Sequence, residues 1–199
     1  MDRHGFKDYQ ETTSDSLNDT KTFVASVLNM KSHLVEPIIT PRFVPCCSKE
    51  LMESLGALAK DKELRVQTHL SECQPEVKWV QELEPWAKDY TDVYHQTGLL
   101  TDKTILAHGI YLSDSELATI RDCGAGISHC PNSNNSIRSG NMDVIKYHGV
   151  RDLKLGLGTD CSGGYSPSLL SNMRFAVATS NNVLLSKLTY RYTCLITDQ

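Results

Sequence analysis

The stretch Leu64-Arg65-Val66-Gln67-Thr68-His69-Leu70-Ser71-Glu72 decides the fold. Leu64 to Gln67 reads as a buried strand that delivers a histidine at its C-terminal end and a glutamate three residues later. A neutral imidazole in that place can ligate a metal. A carboxylate just past the strand can shuttle a water proton. Two later stretches repeat the design: Thr104-Ile105-Leu106-Ala107-His108-Gly109 and Leu153-Lys154-Leu155-Gly156-Leu157-Gly158-Thr159-Asp160. Each is an apolar strand ending in one potential ligand. Barrels and open α/β sheets keep their chemistry at such ends.

Working outward, helical patterns separate the strands. Leu17, Val24, Val27 and Leu28 give a helix from Ser14, its expected N-cap, to about Lys31. Ser48 is expected to cap a second helix to about Ala59, and Pro75 opens a third through Leu83. Asp89 to Thr97 reads as a helix ended by Gly98, and Ser113-Asp114-Ser115-Glu116 is a capping box for one closed by Gly124. Ala125 to His129 reads as a strand and Asn132 to Asn141, rich in Asn, Ser and Gly, as loop. Helices from Met142 to Tyr147 and from Pro167 to Ala178 complete the pattern. Strand and helix alternate, which predicts parallel strands with crossover helices. Five strands end at Arg42, His69, His108, His129 and Asp160, so the chain is either an open sheet or part of an eight-stranded barrel.

The totals exclude several classes. At 199 residues the chain can bury one real core, and a net charge of −4 offers no basic field for nucleic acid. No apolar run approaches the roughly 20 residues of a membrane span. The N-terminus lacks a signal-peptide core, so the expected location is the cytosol. Seven cysteines without a C-x-x-C pair read as reduced, small apolar residues. They also exclude the zinc deaminases that carry H-x-E with a downstream P-C-x-x-C. No G-x-S-x-G elbow supports a serine hydrolase.

Taken singly, a strand-end histidine is usually a hydrogen-bonded loop residue, and an aspartate after Gly-Thr is often a helix cap. Glu72 alone reads as a first-turn carboxylate favoured by the helix dipole, and Arg42 as the partner of a surface acid. The coincidence of His69, His108, His129 and Asp160 at equivalent ends of successive strands favours one shared site.

Five segments, in this order, resemble motifs of the amidohydrolase superfamily: Pro41-Arg42-Phe43, Thr68-His69-Leu70-Ser71-Glu72, Ala107-His108-Gly109, Ser128-His129-Cys130-Pro131-Asn132-Ser133-Asn134 and Gly156-Leu157-Gly158-Thr159-Asp160. Within it the run Ile39-Thr40-Pro41-Arg42-Phe43 and Gly163-Gly164-Tyr165-Ser166 look most like the guanine deaminases. The resemblance covers roughly residues 10 to 185. It implies a partial (β/α)₈ TIM barrel over residues 1–188, with a divergent tail at 189–199. It further implies one zinc ion per site and hydrolytic deamination of guanine to xanthine and ammonia. By that likeness His69 and Asp160 are metal ligands, Glu72 is the proton shuttle, and His108 and Asp160 act with it on the attacking water. Arg42, Phe43, His69, Leu70, Ser71, Glu72 and Asp160 are the substrate contacts. A homodimer of the full-length protein is implied as well.

The family's H-x-H pair occurs nowhere in the 199 residues. Three protein ligands plus water is the usual catalytic zinc shell, so weak or no activity is expected of this chain alone. Two other readings stand beside it: an amidohydrolase acting on another amino-heterocycle, and a non-catalytic fragment that binds a partner through its open sheet edge or its tail.

Overall fold

The computed structural model describes residues 1–5 and 7–197, with side chains for 1–5 and 8–188. The expected tail at 189–199 falls outside the described side chains. Five strands form one all-parallel sheet in sequential order: β1 (Ile38–Ile39), β2 (Arg65–Leu70), β3 (Thr104–His108), β4 (Gly126–His129) and β5 (Lys154–Leu157). Helices α1 (Thr13–Asn29), α2 (Lys49–Asp61), α3 (Gln74–Leu83), α4 (Tyr90–Gln96), α5 (Asp114–Asp122), α6 (Pro131–Ser136), α7 (Val144–His148) and α8 (Leu169–Thr197) fall before, between and, for α8, after the strands. Sequential parallel order with crossover helices is the arrangement of an incomplete TIM barrel, as the alternating pattern predicts.

Strand side chains alternate between two faces. Val66, Leu70, Leu106 and Ile127 point outward and are at most 2% exposed. They pack with Leu51, Met52 and Leu55 of α2, Tyr94 of α4 and Ile120 of α5 in one apolar core. The register sets His69 opposite Ala107 and Leu70 opposite His108 across β2 and β3. His129 lies opposite Leu157 across β4 and β5. The strand ends are thereby brought to a common rim.

Local chemistry fixes most helix ends. Ser48 accepts from Leu51 N, and Ser113 with Glu116 closes the capping box of α5. Gly98 and Gly124 end α4 and α5 with φ of +74° and +71°. Four expectations are corrected. The cap of α1 is Thr12, whose hydroxyl accepts from Asp15 N, not Ser14. α7 starts at Val144, because Met142 turns into the core instead of opening the helix. α8 begins at Leu169, past Pro167, and continues well beyond Ala178 to Thr197.

The fourth correction concerns Asn132 to Asn141, expected as loop, whose first half, through Ser136, belongs to α6. Asn and Ser are poor helix formers because they compete for backbone hydrogen bonds. Here tertiary contacts absorb that competition. Asn132 N donates to Asn172 Oδ1, and Asn135 Nδ2 donates to Thr179 Oγ1, both on α8. α8 therefore turns its polar Asn172 and Thr179 inward, buried against α6, while Leu170, Met173 and Val177 face outward and exposed.

Candidate metal centre

His69 is the penultimate residue of β2 and is held from three sides. Its backbone N donates to Arg42 O at 3.0 Å, and its ring Nδ1 lies 2.7 Å from the same oxygen. Its carbonyl accepts from Tyr94 OH at 2.8 Å, while Thr68 Oγ1 donates to that hydroxyl at 2.8 Å. A backbone carbonyl only accepts, so the His69 proton sits on Nδ1 and the lone pair on Nε2.

His108 ends β3 in the left-handed region, with φ of +69°. On a regular strand its side chain would share the outer face with Leu70, its register partner. The left-handed turn breaks that alternation and brings the imidazole to His69. The two rings stack at 5.3 Å between centroids, 22° from parallel. Its Nδ1 lies 2.8 Å from Asn134 Oδ1, and the ring is buried.

Asp160 follows β5, also left-handed at φ +44°. Ser133 Oγ donates to its Oδ2 at 2.5 Å. A Cβ added to Gly163 would lie 2.6 Å from both that carboxylate oxygen and Ser133 Oγ, so only glycine leaves the pair intact. Strained backbone of this kind concentrates at functional sites.

One potential ligand atom from each of His69, His108 and Asp160 lies within 4.8 Å of the others. Glu72 joins the rim: its Oε2 is 3.6 Å from His108 Nε2, and Asp160 Oδ2 is 4.0 Å from that nitrogen. Ser139 Oγ donates to the other Glu72 oxygen at 2.7 Å. Glu76 accepts from the backbone N of Glu72 and Cys73 and from Tyr90 OH, which fixes where Glu72 leaves the strand. Among the described residues no lysine or arginine pairs with Glu72 or Asp160. Two imidazoles and the Asp160 carboxylate thus face one point, with the Glu72 carboxylate beside His108 and no cation of their own. That donor set fits a divalent transition metal. His69 and Asp160 also line a depression of 250 Å³ with Gln67, Ile105, Ala107 and Ser128.

The other expected site residues are distributed differently. Arg42 contributes its carbonyl to His69, but its exposed guanidinium lies 5.5 Å over the Phe43 ring and borders a separate depression with Met1 and Tyr9. Leu70 and Ser71 are fully buried, Leu70 in the apolar core, so neither presents open side-chain surface to a substrate here. His129 does not join the cluster. It is buried with both ring nitrogens unpartnered, and burial, reinforced by His108, lowers its pKa to about 4. Its outward place in the alternation of β4 separates it from the rim. Ser133, Asn134 and Ser139, which hold the three acceptors, were not expected from sequence. Ser133 and Asn134 lay within the segment Ser128 to Asn134 that carried the family resemblance, with no role attached to them, and Ser139 only within an Asn/Ser-rich run beside a strand end.

Comparison with known proteins agrees with this geometry. The chain is 48% identical over 182 residues to a guanine deaminase of Pongo abelii and 47% identical to one of Dictyostelium discoideum. In each case the match covers 92% of this chain, which spans about 40% of the length of those relatives. A crystal structure of guanine deaminase from C. acetobutylicum, with guanine bound in its active site, superposes with a TM-score of 0.90 at 38% identity. That superposition covers 94% of this chain and 44% of the other. The family model described as the amidohydrolase family matches residues 1–196. With its strand ends already gathered around a metal-type donor set, this chain belongs to the amidohydrolase family.

Proposed function

We propose that the chain carries part of the catalytic centre of a zinc-dependent guanine deaminase, which hydrolyses guanine to xanthine and ammonia in purine catabolism. One observation carries the reading: His69, His108 and Asp160 converge on a point that Glu72 also faces, within a fold that superposes on guanine deaminases. His69 and Asp160 are the residues that would hold the zinc. When bound, zinc supplies a Lewis acid that lowers the pKa of a water to about 7.

The chain's own residues account for the proton traffic. Water adds to C2 of guanine and the C2–amine bond breaks. Asp160 takes a proton from the attacking water. Glu72, held by Ser139 with its second oxygen facing His108, takes the other water proton to the ring nitrogen beside C2. As the C2 hydroxyl becomes the carbonyl, the proton on Asp160 passes through Glu72 to the departing amine. His108 Nε2, between the two carboxylates, orients the water. Arg42 offers planar donors suited to a carbonyl edge of the purine once its guanidinium leaves Phe43. The small-molecule substrate, a cytosolic location and a homodimeric full-length protein complete the reading. Among the described residues no helix is long and apolar enough to cross a membrane.

Zinc titration against a competing chelator, paired with an ammonia-release panel, tests it. One zinc per chain is expected, with affinity reduced at least tenfold in His69→Ala or Asp160→Ala. Ammonia should come from guanine, slowly, and not from adenine, cytosine or an aminotriazine. Equal zinc affinity in both variants overturns the metal assignment. Preferred release from any of the other three overturns the substrate.

A further inference from the structure

The two rim histidines present Nε2 to the same point, but different partners hold their Nδ1 atoms. For His69 the partner is a backbone carbonyl, which leaves no choice of tautomer. For His108 it is a side-chain amide, Asn134, fully buried on α6. An amide can present either its oxygen or its nitrogen, and the choice dictates which ring nitrogen of the histidine is protonated.

We infer that Asn134 is a positioning residue whose carbonyl oxygen holds His108 in the Nδ1–H tautomer, so that Nε2 is an acceptor facing Glu72 and Asp160. The inference rests on the metal reading above and deepens it. With the lone pair on Nε2, that nitrogen is an acceptor facing two others, 3.6 Å from Glu72 Oε2 and 4.0 Å from Asp160 Oδ2. Such a constellation is repulsive alone and attractive around a cation or a water's protons. A metal-ligating histidine ordinarily donates its other N–H to an oxygen that fixes ring and tautomer. Arg42 O supplies that oxygen for His69, and Asn134 Oδ1 supplies it for His108.

The same element governs the neighbouring acid. Ser133, adjacent to Asn134, donates to Asp160. Ser139, just past the helix, donates to Glu72 and is itself tied down through its carbonyl by Tyr111 OH at 2.8 Å. Gly140 permits that tie: a Cβ there would lie 2.1 Å from Tyr111 Oη. α6 and its exit therefore address all three acceptors from one side.

The test reads the tautomer directly. The full chain is labelled with ¹⁵N-histidine, and imidazole nitrogens are recorded without metal at about pH 8, above the ordinary imidazole range. The His108 signals are identified by their loss in His108→Gln. The expected wild-type pattern is a protonated Nδ1 and an unprotonated Nε2. Asn134→Ala should populate the Nε2–H form and weaken zinc binding about 10- to 100-fold. Asn134→Asp, which keeps an oxygen acceptor, should restore both. A wild-type spectrum showing Nε2–H overturns the inference, even if Asn134→Ala fails to fold. An Asn134→Ala chain with unchanged tautomer and unchanged zinc affinity overturns it too. The metal-free spectrum decides this point even if zinc titration defeats the functional reading.

Discussion

The two faces of the sheet are drawn from alternate residues of the same strands, yet they have opposite surroundings. On the outer face Val66, Leu70, Leu106 and Ile127 are sealed under helices. On the inner face Arg65 and Gln67 are exposed and Ile105 is 43% exposed. A closed (β/α)₈ barrel fills its interior with layers of strand side chains. Here the outer face alone supplies the packing, and the inner face is open beside the ligand rim. The contrast teaches that the fold is held from outside the sheet, while the chemistry is held by hydrogen bonds along the strand ends.

The largest expected effect lies on the outer face. Leu106→Ala deletes a fully buried side chain at the centre of the sheet and should cost about 2–5 kcal/mol in chemical denaturation. A loss below ~1 kcal/mol would contradict an outward-held fold. Next comes acid. The His129 pKa is lowered from 6.5 to about 4, so unfolded chains bind the proton more readily than folded ones. Stability is therefore full above about pH 6.5, falls as pH drops from there to about 4, and levels off below. The loss attributable to this residue is on the order of 3 kcal/mol, and it should vanish in His129→Gln. An unchanged pH dependence in that variant would separate acid lability from His129.

Gly163→Ala is expected to act at the rim rather than on the fold. The added carbon displaces Asp160 from Ser133, so zinc affinity should fall about tenfold or more with little change in melting temperature. The smallest effect belongs to the inner face: Ile105→Thr should move stability by no more than about 0.5 kcal/mol. If it cost as much as Leu106→Ala, the inner face would be packed in solution and the contrast between the faces would collapse.

Much of this was legible in the sequence. The strands at Leu64, Thr104, Ala125 and Leu153 were visible because apolar runs bounded by Gly and polar clusters have a local signature. His69, His108 and Asp160 were visible because each ends a strand at the same rim of the sheet, although His108 reaches the cluster only through its left-handed backbone. His129 has the same outward place in the alternation as His108 but lacks the left-handed backbone that redirects that side chain. α6 was hidden because its helix depends on partners some 40 residues distant, Asn172 and Thr179, and no local propensity announces them. Ser133, Asn134 and Ser139 were hidden with it. The left-handed backbone at His108 and Asp160 had no sequence signal either, because neither residue is glycine.

The reversed polarity of α8 has a practical consequence. Leu170, Met173 and Val177 line its solvent side at 53–68% exposure. Excluded salts such as sulfate strengthen the burial of surface of that kind. Early salting-out by ammonium sulfate and retention on a phenyl resin should therefore mark this chain during purification, and a Met173→Lys exchange should relieve both.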